Sequence, residues 1–299
     1  MADIPYSKRY QLLLSVRDKN LRVATISQYH LSIYVSDTHF KVSCVHPITT
    51  QCLLLEVYKL AYQNPYQRVQ AIEQLYQDHP LLGTGTWSAV TLCIGNQQYT
   101  LIPRAFAQEQ RLTNYLNFSC PIGSNTIRHY AHTSLNMTVG FAIDTWLFNW
   151  FKLTYAPTRL HTIHQASSLI QGSWTYVRGS KPSLLSKMLV FVEPNYLHTT
   201  VIHKNDVLYY NRFEYTDSNA LLYYILVVMH TLQLNTNLHE VVLGGHIKKS
   251  APAYRKAGNY IRKLTLSGAP THLKFGNVFT KEMMTTHADV LGIHLCYPG

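Results

Sequence analysis

Residues 187–263 carry an ordered series of strand and helix patterns that few folds accommodate. Three short runs in it are rich in β-branched and aromatic residues, namely Lys187–Glu193, Tyr196–Ile202 and Val207–Phe213. The turns between these runs are short and polar, and they contain Pro, Asn and Asp. Runs of this length and composition, separated by such turns, predict three antiparallel strands joined as a meander.

The period of the apolar residues changes after the third strand. Residues 216–234 predict a helix with a wide apolar face, and either Thr216 or Asp217 can cap its N-terminus. His239–Leu243 predicts a fourth strand, which stops at a pair of glycines, and a helix is predicted over 251–264. The predicted order is therefore strand, strand, strand, helix, strand, Gly-Gly, helix.

A weaker repeat of this order occurs early in the chain. Three strand patterns, one helix pattern and a fourth strand follow one another at Tyr10–Val16, Leu21–Ile26, Leu31–Val35, Thr50–Gln63 and Ser88–Ile94. Two copies of one unit predict a duplicated α/β fold with two lobes around a cleft. Because Gly172–Pro182 is polar and contains Gly, Ser and Pro, we expect a linker there, with lobes at 1–180 and 181–299.

Composition limits the classes of protein to which this chain can belong. Of its 299 residues, 46% are apolar and 14% are charged, which is typical of a globular protein rather than a disordered one. The net charge of +11 is compatible with nucleic acid, an anionic membrane or an acidic partner, and it selects none of them. Because the excess comes from few acids more than from many bases, it argues against nucleic acid.

Cysteine usage and apolar runs predict a cytoplasmic protein. The five cysteines are scattered without a Cys-x-x-Cys pair, so neither a zinc knuckle nor a disulfide framework is expected. The first nine residues lack the apolar core of a signal peptide. The longest apolar run, around 221–229, is too short to span a bilayer, so we expect no membrane insertion.

Motif searches identify no catalytic residue and no metal site. There is no Gly-x-Ser-x-Gly nucleophile elbow, and Lys248-Lys249-Ser250 is not in the frame of a phosphate-binding Walker loop. Several histidines lie three or five residues apart on predicted strands, where odd spacings place side chains on opposite faces. These histidines are His129 and His132, His161 and His164, and His198 and His203.

Two features could bind an anion. Gly244 and Gly245 lie between a strand and a helix, where glycine lets the backbone approach a ligand closely, although a tight turn is the simpler interpretation. A basic group follows them, and it could hold phosphate or an RNA backbone, although a solvated helix face is the simpler interpretation. Its candidate residues are Lys248, Lys249, Arg255, Arg262 and Lys263.

Acids are scarce in the turns that follow predicted strands. Asp18 and Glu193 each come directly after the first strand of a copy. This is the position at which an actin-like ATPase places aspartates that are linked to its metal ion, so both residues are candidate nucleotide ligands.

The order of the elements resembles the fold of actin, Hsp70 and sugar kinases. More specifically, the chain resembles an uncharacterised bacterial family, domain-of-unknown-function family 3822, from about Tyr10 to Leu264. The stretches that carry this resemblance are Tyr99–Pro103, Tyr115–Phe118, His161–Ser167, Leu208–Tyr215, Leu243–Ile247 and Tyr260–Ile261. The resemblance implies an actin-like ATPase fold and no established function.

The phosphate loops of that fold carry Asp-x-Gly, and this chain departs from the pattern twice. Arg17–Asn20 and Glu193–Asn195 contain no glycine, and Pro194 has no N–H to offer a phosphate. We therefore expect a protein without catalytic activity and without a cofactor, which acts as a binding or assembly scaffold for another protein. The alternatives are an ATP- and magnesium-binding protein that uses Asp18, Glu193, Gly244 and Gly245, and an RNA-associated protein that uses the basic helix.

Overall fold

The computed structural model describes residues 8–83, 86–156 and 158–297. The chain forms two compact units by its internal contacts. Unit 1 comprises Met1–Gln165, Leu273–Val278 and Cys296–Gly299, and unit 2 comprises Ala166–His272 and Phe279–Leu295. The division after Gln165 differs from the lobe boundary expected at 180, and the assignment of these lobes stays a prediction.

The strands are, in chain order, β1 (Tyr10–Arg17), β2 (His30–Ser36), β3 (His39–His46), β4 (Gln51–Leu60), β5 (Ala89–Gly95), β6 (Tyr99–Pro103), β7 (Thr126–His132), β8 (Met137–Ile143), β9 (Leu160–His164), β10 (Lys187–Val192), β11 (Tyr196–His203), β12 (Asp206–Glu214), β13 (Glu240–Gly245), β14 (Lys263–Leu266) and β15 (Lys274–Phe275). The α-helices are α1 (Pro65–Asp78), α2 (Leu112–Ser119), α3 (Thr145–Thr154), α4 (Gln165–Arg178), α5 (Ser218–Thr231), α6 (Pro252–Gly258), α7 (Lys281–Thr286) and α8 (Ala288–Leu291). Turns of 3-10 helix occur at Val23–Gln28, Arg104–Phe106, Glu109–Arg111 and Gly292–Cys296.

Unit 2 contains a five-stranded sheet in the order β12-β11-β10-β13-β14. The strands β10, β11 and β12 pair as an antiparallel meander. On the other side of β10, β13 pairs in parallel with β10, and β14 pairs in parallel with β13. Alternate residues of β10 face a buried apolar core under α5 and α6, which includes Met188, Val190, Ile225, Val241 and Ala257. The predicted meander, helix and fourth strand are confirmed, and Asp217 caps α5 by accepting from the amides of Asn219 and Ala220.

Unit 1 contains the same five-strand arrangement with two strands added, β1 and β15. Its main sheet has the order β1-β4-β3-β2-β5-β9, and β15 pairs with β4. The strands β2, β3 and β4 are antiparallel neighbours, whereas β5 and β9 add in parallel beyond β2. A separate three-stranded sheet, β6-β8-β7, packs on α2 through Leu116 and Ala142. The five strands that correspond to those of unit 2 are therefore β2, β3, β4, β5 and β9.

The early meander was placed wrongly by sequence. The helix predicted at Thr50–Gln63 is wrong, because those residues form strand β4. Both faces of the sheet are covered at β4, so nearly every residue of the strand is buried. Its sequence therefore lacks the alternation of apolar and polar residues that marks a half-exposed strand. The strand predicted at Leu21–Ile26 is also wrong, because this mostly exposed segment forms 3-10 turns.

Two predictions near unit 2 are also corrected. The linker expected at Gly172–Pro182 is largely helix, because α4 includes Gly172 and continues to Arg178. The helix predicted over 251–264 ends at Gly258, after which residues 263–266 form the edge strand β14. Ile261 lies between α6 and β14, and its side chain is almost fully buried in the core of unit 2.

The helices and the cysteines bear on two expectations, namely that no segment spans a membrane and that no disulfide framework forms. None of the helices in the described residues is both long and apolar enough to cross a bilayer. Cys44, Cys52, Cys93 and Cys296 are buried and belong to no disulfide of the described residues, and Cys120 is half-buried.

Candidate functional site

Each five-strand set has a hairpin directly after its first strand. In unit 1 this hairpin, Ser36–His39, joins β2 to β3, and in unit 2 the corresponding hairpin, Val192–Tyr196, joins β10 to β11. We name them the unit 1 hairpin and the unit 2 hairpin. Asp37 follows β2 as Glu193 follows β10, so Asp37 is the acid that corresponds to Glu193.

Asp18 lies elsewhere. It follows β1, a strand added outside the five-strand set, and it is 6% exposed. Its Oδ1 accepts from the amide of Asn20 at 2.9 Å, and its other oxygen lies so close to Gly276 that any side chain there would collide with it. Asp18 is thus held within a local turn, and its role as a nucleotide ligand stays a prediction.

Sequence reasoning missed Asp37 because it took Tyr10–Val16 as the first strand of the early unit. A signal for the correct choice was present in the chain. Ser36-Asp37-Thr38 is a short polar turn between two strand-like runs, as Pro194-Asn195 is in unit 2.

Two amides of the unit 1 hairpin, those of Thr38 and His39, are bonded within the hairpin. The hydroxyl of Ser36 accepts from the amides of Thr38 at 3.4 Å and His39 at 3.1 Å. Oδ1 of Asp37 is paired with the Arg68 guanidinium at 3.1 Å, although the Asp37 side chain is 77% exposed. Arg68 lies on α1, and its other terminal nitrogen is 3.7 Å from the Asp144 carboxylate. Arg68 therefore supplies a positive charge to Asp37 in the hairpin and to Asp144, which caps α3.

Hydrogen bonds from other side chains hold the acid of the unit 2 hairpin. Oε2 of Glu193 is 3.0 Å from Nε2 of His198, and Nδ1 of the same ring is 2.8 Å from the Tyr210 hydroxyl. The Tyr215 hydroxyl donates to the Glu193 carbonyl at 2.6 Å. Burial raises the pKa of Tyr215, and the nearby Glu193 charge adds to that rise. This buried chain of polar groups fixes the hairpin, because an unpartnered polar group at this depth would be costly.

Gly244 and Gly245 lie at the end of β13, beside β10. Gly245 is opposite Val192 in the parallel register, and it has a φ of 84°. A side chain at Gly245 would collide with the Val192 carbonyl, while one at Gly244 would lie 2.6 Å from the Ser267 hydroxyl. The amide of His246 donates to the Val192 carbonyl at 2.7 Å. Close strand packing and a left-handed backbone therefore account for both glycines.

Gly244 also lines a small cavity inside unit 2. The cavity lies between α4 and the sheet face that carries Phe191, His198 and Thr200, and its volume is about 100 Å³. Small-molecule sites typically have about 300–1,000 Å³. The cavity is therefore too small to hold a nucleotide.

The basic candidate residues do not share one element. Lys248 and Lys249 precede α6, and Lys248 is paired with Glu282 at 2.7 Å in an exposed position. Arg255 is on α6, Arg262 follows that helix, and Lys263 begins β14. Arg262 and Lys263 therefore lie outside the helix in which the sequence placed them, and the RNA hypothesis stays a prediction.

Comparisons with known proteins agree with the architecture. The family model described as Protein of unknown function (DUF3822) matches residues 18–264. A protein from Bacteroides thetaiotaomicron VPI-5482, described as having an actin-like ATPase fold and unknown function, is similar with a TM-score of 0.72 and 18% identity. This match covers 83% of this chain and 93% of that one.

A second solved structure, the PilM-PilN type IV pilus biogenesis complex, contains a chain with a TM-score of 0.60 and 10% identity. The match covers 89% of this chain and 97% of that one. No curated protein matches the sequence. The family match and the two structural similarities confirm the resemblance read from the sequence, and the chain therefore belongs to the DUF3822 family and has the actin-like ATPase fold.

Proposed function

We propose that this protein is a cytoplasmic, non-catalytic actin-like protein that acts by binding another protein in an assembly. The observation that carries the proposal is the state of the two hairpins. In the unit 1 hairpin, the Ser36 hydroxyl accepts hydrogen bonds from the amides of Thr38 and His39, and Asp37 is paired with Arg68. In the unit 2 hairpin, the Glu193 carboxylate contacts the ring of His198. Groups that are engaged in this way cannot also bind a nucleotide phosphate without losing their protein partners.

The residues around the hairpins do not fit ATP with magnesium. Neither hairpin contains a glycine, and Pro194 lacks the N–H that a phosphate loop supplies from its backbone. Arg68 supplies a positive charge beside Asp37, in the place where a metal ion would otherwise balance the carboxylate. The cavity beside Gly244 is smaller than a nucleotide site. These features support a loss of ATP hydrolysis while the fold is kept.

A protein partner is supported by one neighbour in fold. PilM is in a complex with PilN, so a chain of this architecture takes part in a protein assembly. At 10% identity the similarity carries the fold alone, and the nature of the partner is part of our proposal.

We expect thermal unfolding of the protein to be unchanged by millimolar ATP with magnesium. A ligand that binds only the folded state at a hundredfold excess over its dissociation constant would stabilise it by about 2.7 kcal/mol and raise the midpoint. Differential scanning fluorimetry with and without ATP and magnesium measures this directly. An actin-like ATPase with intact Asp-x-Gly loops serves as the positive control.

A clear rise of the midpoint would overturn the proposal and favour the ATP-binding alternative. In that case Asp37→Asn and Glu193→Gln should remove the rise if the hairpin acids hold the metal, and Asp18→Asn tests the earlier candidate. Gly245→Arg is unsuitable for this purpose, because the Val192 carbonyl excludes any side chain there.

We expect a protein to co-purify stoichiometrically with the tagged chain from its native cells, after nuclease treatment and in the presence of ATP. The reason is that an assembly contact should depend on neither RNA nor nucleotide. The variant with Arg255→Glu and Arg262→Glu should retain the same protein, since both residues are exposed and neither belongs to a hairpin. Recovery of RNA alone, lost in this variant and falling steeply with salt, would favour the RNA alternative instead.

A further inference from the structure

A second cavity in unit 2 belongs to none of the features described above. Its volume is about 440 Å³, within the range of small-molecule sites. It lies where the end of α4, the start of β10 and the hairpin between β11 and β12 meet. Four basic residues line it, namely Arg178, Lys181, Lys187 and Lys204.

Charge in this cavity is strongly unbalanced. Among the described residues, no Asp or Glu lines it. The buried Lys187 ammonium is compensated, because it is 3.3 Å from the Glu240 carboxylate and donates to the Ser180 hydroxyl at 2.7 Å. Arg178, Lys181 and Lys204 form no ion pair with any described residue. Three positive charges therefore remain around one concave site.

The chain holds parts of this site in place. The Arg178 guanidinium lies over the Trp174 ring, 4.5 Å from its centre, and the Trp174 indole donates to the Asn205 carbonyl at 2.9 Å. This bond ties α4 to the hairpin that carries Lys204. Lys204 has a φ of 54°, a left-handed conformation that a lysine adopts only at a cost. The tight turn thus fixes the backbone position and the Cα–Cβ direction of Lys204.

Exposed cations contribute little one at a time, but cations that converge on a cleft with apolar walls focus their field on it. The walls here are aliphatic, with Val177, Leu185 and Ile202 among the lining residues. Leu184 at the same cavity is 83% exposed. None of the described lining residues is aromatic, so the cavity offers no ring on which a nucleotide base could stack.

We propose that this cavity binds a phosphate group that carries an aliphatic body. Arg178, Lys181 and Lys204 pair with the phosphate, the Asn205 amide lies within the same lining, and the aliphatic wall covers the apolar part. Soluble alkyl phosphates and the headgroup region of anionic phospholipids share this chemistry. The site is separate from the two hairpins and does not depend on the proposed scaffold function.

The test removes the three unpaired charges and leaves the buried pair intact. The cavity variant carries Arg178→Gln, Lys181→Gln and Lys204→Asn. Glutamine keeps the end of α4 helical, and asparagine tolerates the left-handed backbone at 204 better than most residues. Lys187 is unchanged, because its removal would leave Glu240 without its partner.

A matched control loses the same charge elsewhere in the chain. The control variant carries Lys152→Gln, Lys256→Gln and Lys281→Gln, three exposed residues that do not line the cavity and belong to no candidate site. Any effect of net charge alone will therefore appear in both variants, while an effect of the cavity will appear in one.

Two probes distinguish the sources of the phosphate. Octyl phosphate, with octyl glucoside as its uncharged counterpart, is titrated by calorimetry at about 0.15 M salt, where long-range surface attraction is screened. Vesicles of phosphatidylcholine with and without phosphatidylglycerol are tested by co-sedimentation. We expect saturable binding of the wild type and the control variant to at least one anionic probe, with the dissociation constant raised at least tenfold in the cavity variant.

Binding to octyl phosphate and not to vesicles identifies a soluble ligand, whereas binding to vesicles that contain phosphatidylglycerol identifies a lipid headgroup. The proposal is overturned if neither anionic probe binds the wild type. It is also overturned if both variants lose affinity equally, or if the cavity variant binds as well as the wild type. Circular dichroism and the unfolding midpoint show whether each variant is folded.

Discussion

Replacing Gly245 by alanine is expected to lower the free energy of unfolding by about 4 kcal/mol, one of the largest effects of a single substitution in this chain. Two costs add at this position. A residue with a Cβ at a φ of 84° is strained, by about 1–3 kcal/mol. The new methyl group would also collide with the Val192 carbonyl of the adjacent strand, and forcing atoms into packed structure costs about 1–3 kcal/mol more.

Gly123→Ala is the matched control for this prediction. Gly123 also has a positive φ, of 56°, but a side chain there would meet nothing within 4 Å. Its cost should be about 1–2 kcal/mol, from the backbone alone. Urea unfolding followed by circular dichroism compares the two variants. If Gly245→Ala costs no more than Gly123→Ala, the close approach of β13 to β10 is not what selects glycine.

Glu56→Gln is expected to destabilise unit 1 by about 3 kcal/mol, because it breaks a buried network of charged and polar groups. Glu56 lies on β4 and is 1% exposed. One of its oxygens lies 2.7 Å from His79 Nε2 and accepts from the Tyr58 hydroxyl at 2.6 Å. The other oxygen accepts from Ser15 at 2.8 Å and from Arg17 at 2.9 Å, which fixes β1 against β4.

This network also predicts a pH dependence. Burial by itself would raise the pKa of Glu56, but hydrogen bonds from His79, Tyr58, Ser15 and Arg17 outweigh it and lower the pKa to about 2. In the unfolded chain a glutamate has a pKa of about 4.3. The carboxylate therefore contributes its full stability above about pH 4, and that contribution is lost as the pH falls from about 4 towards 2.

Urea unfolding of the wild type and Glu56→Gln between pH 7 and pH 3 tests this. The difference in unfolding free energy should shrink as the pH falls, since glutamine cannot titrate. Asp78→Asn is the control, because Asp78 accepts from the Tyr10 hydroxyl at 2.6 Å but its side chain is 43% exposed. Its effect should stay below about 1 kcal/mol. Two stability curves that remain parallel down to pH 3 would contradict the assignment.

Local signals in the sequence were sufficient for the meander, the helix α5 and the strand β13 of unit 2. The turn at Pro194-Asn195 and the cap at Asp217 each act within a few residues, so the strand or helix boundaries that they set can be read directly. Glu193 and the glycine pair were identified from the same signals. Their surroundings were not, because His198, Tyr210 and Val192 reach them only through strand pairing.

The signals in unit 1 were ambiguous, and the candidate acid was misplaced as a result. A strand that is buried on both faces, such as β4, has a continuous apolar run that periodicity alone cannot distinguish from a buried helix. With β4 assigned to a helix, the meander was shifted towards the N-terminus and Asp18 took the place of Asp37. Only the pairing of β2 with β5 shows which strand lies at the centre of the sheet.

The sequence alone determined the fold class, the order of elements from β10 to α6 and the departure of the unit 2 hairpin from Asp-x-Gly, because these depend on residue type and short-range spacing. Tertiary structure alone decided which acid lies in the unit 1 hairpin and which side chains hold the acids of both hairpins. It also decided that Arg178, Lys181 and Lys204, which are scattered along the chain, surround one cavity. The reason is physical: hydrogen bonds and charges act across a few ångströms of space, and only the packing of strands and helices brings distant residues within that range.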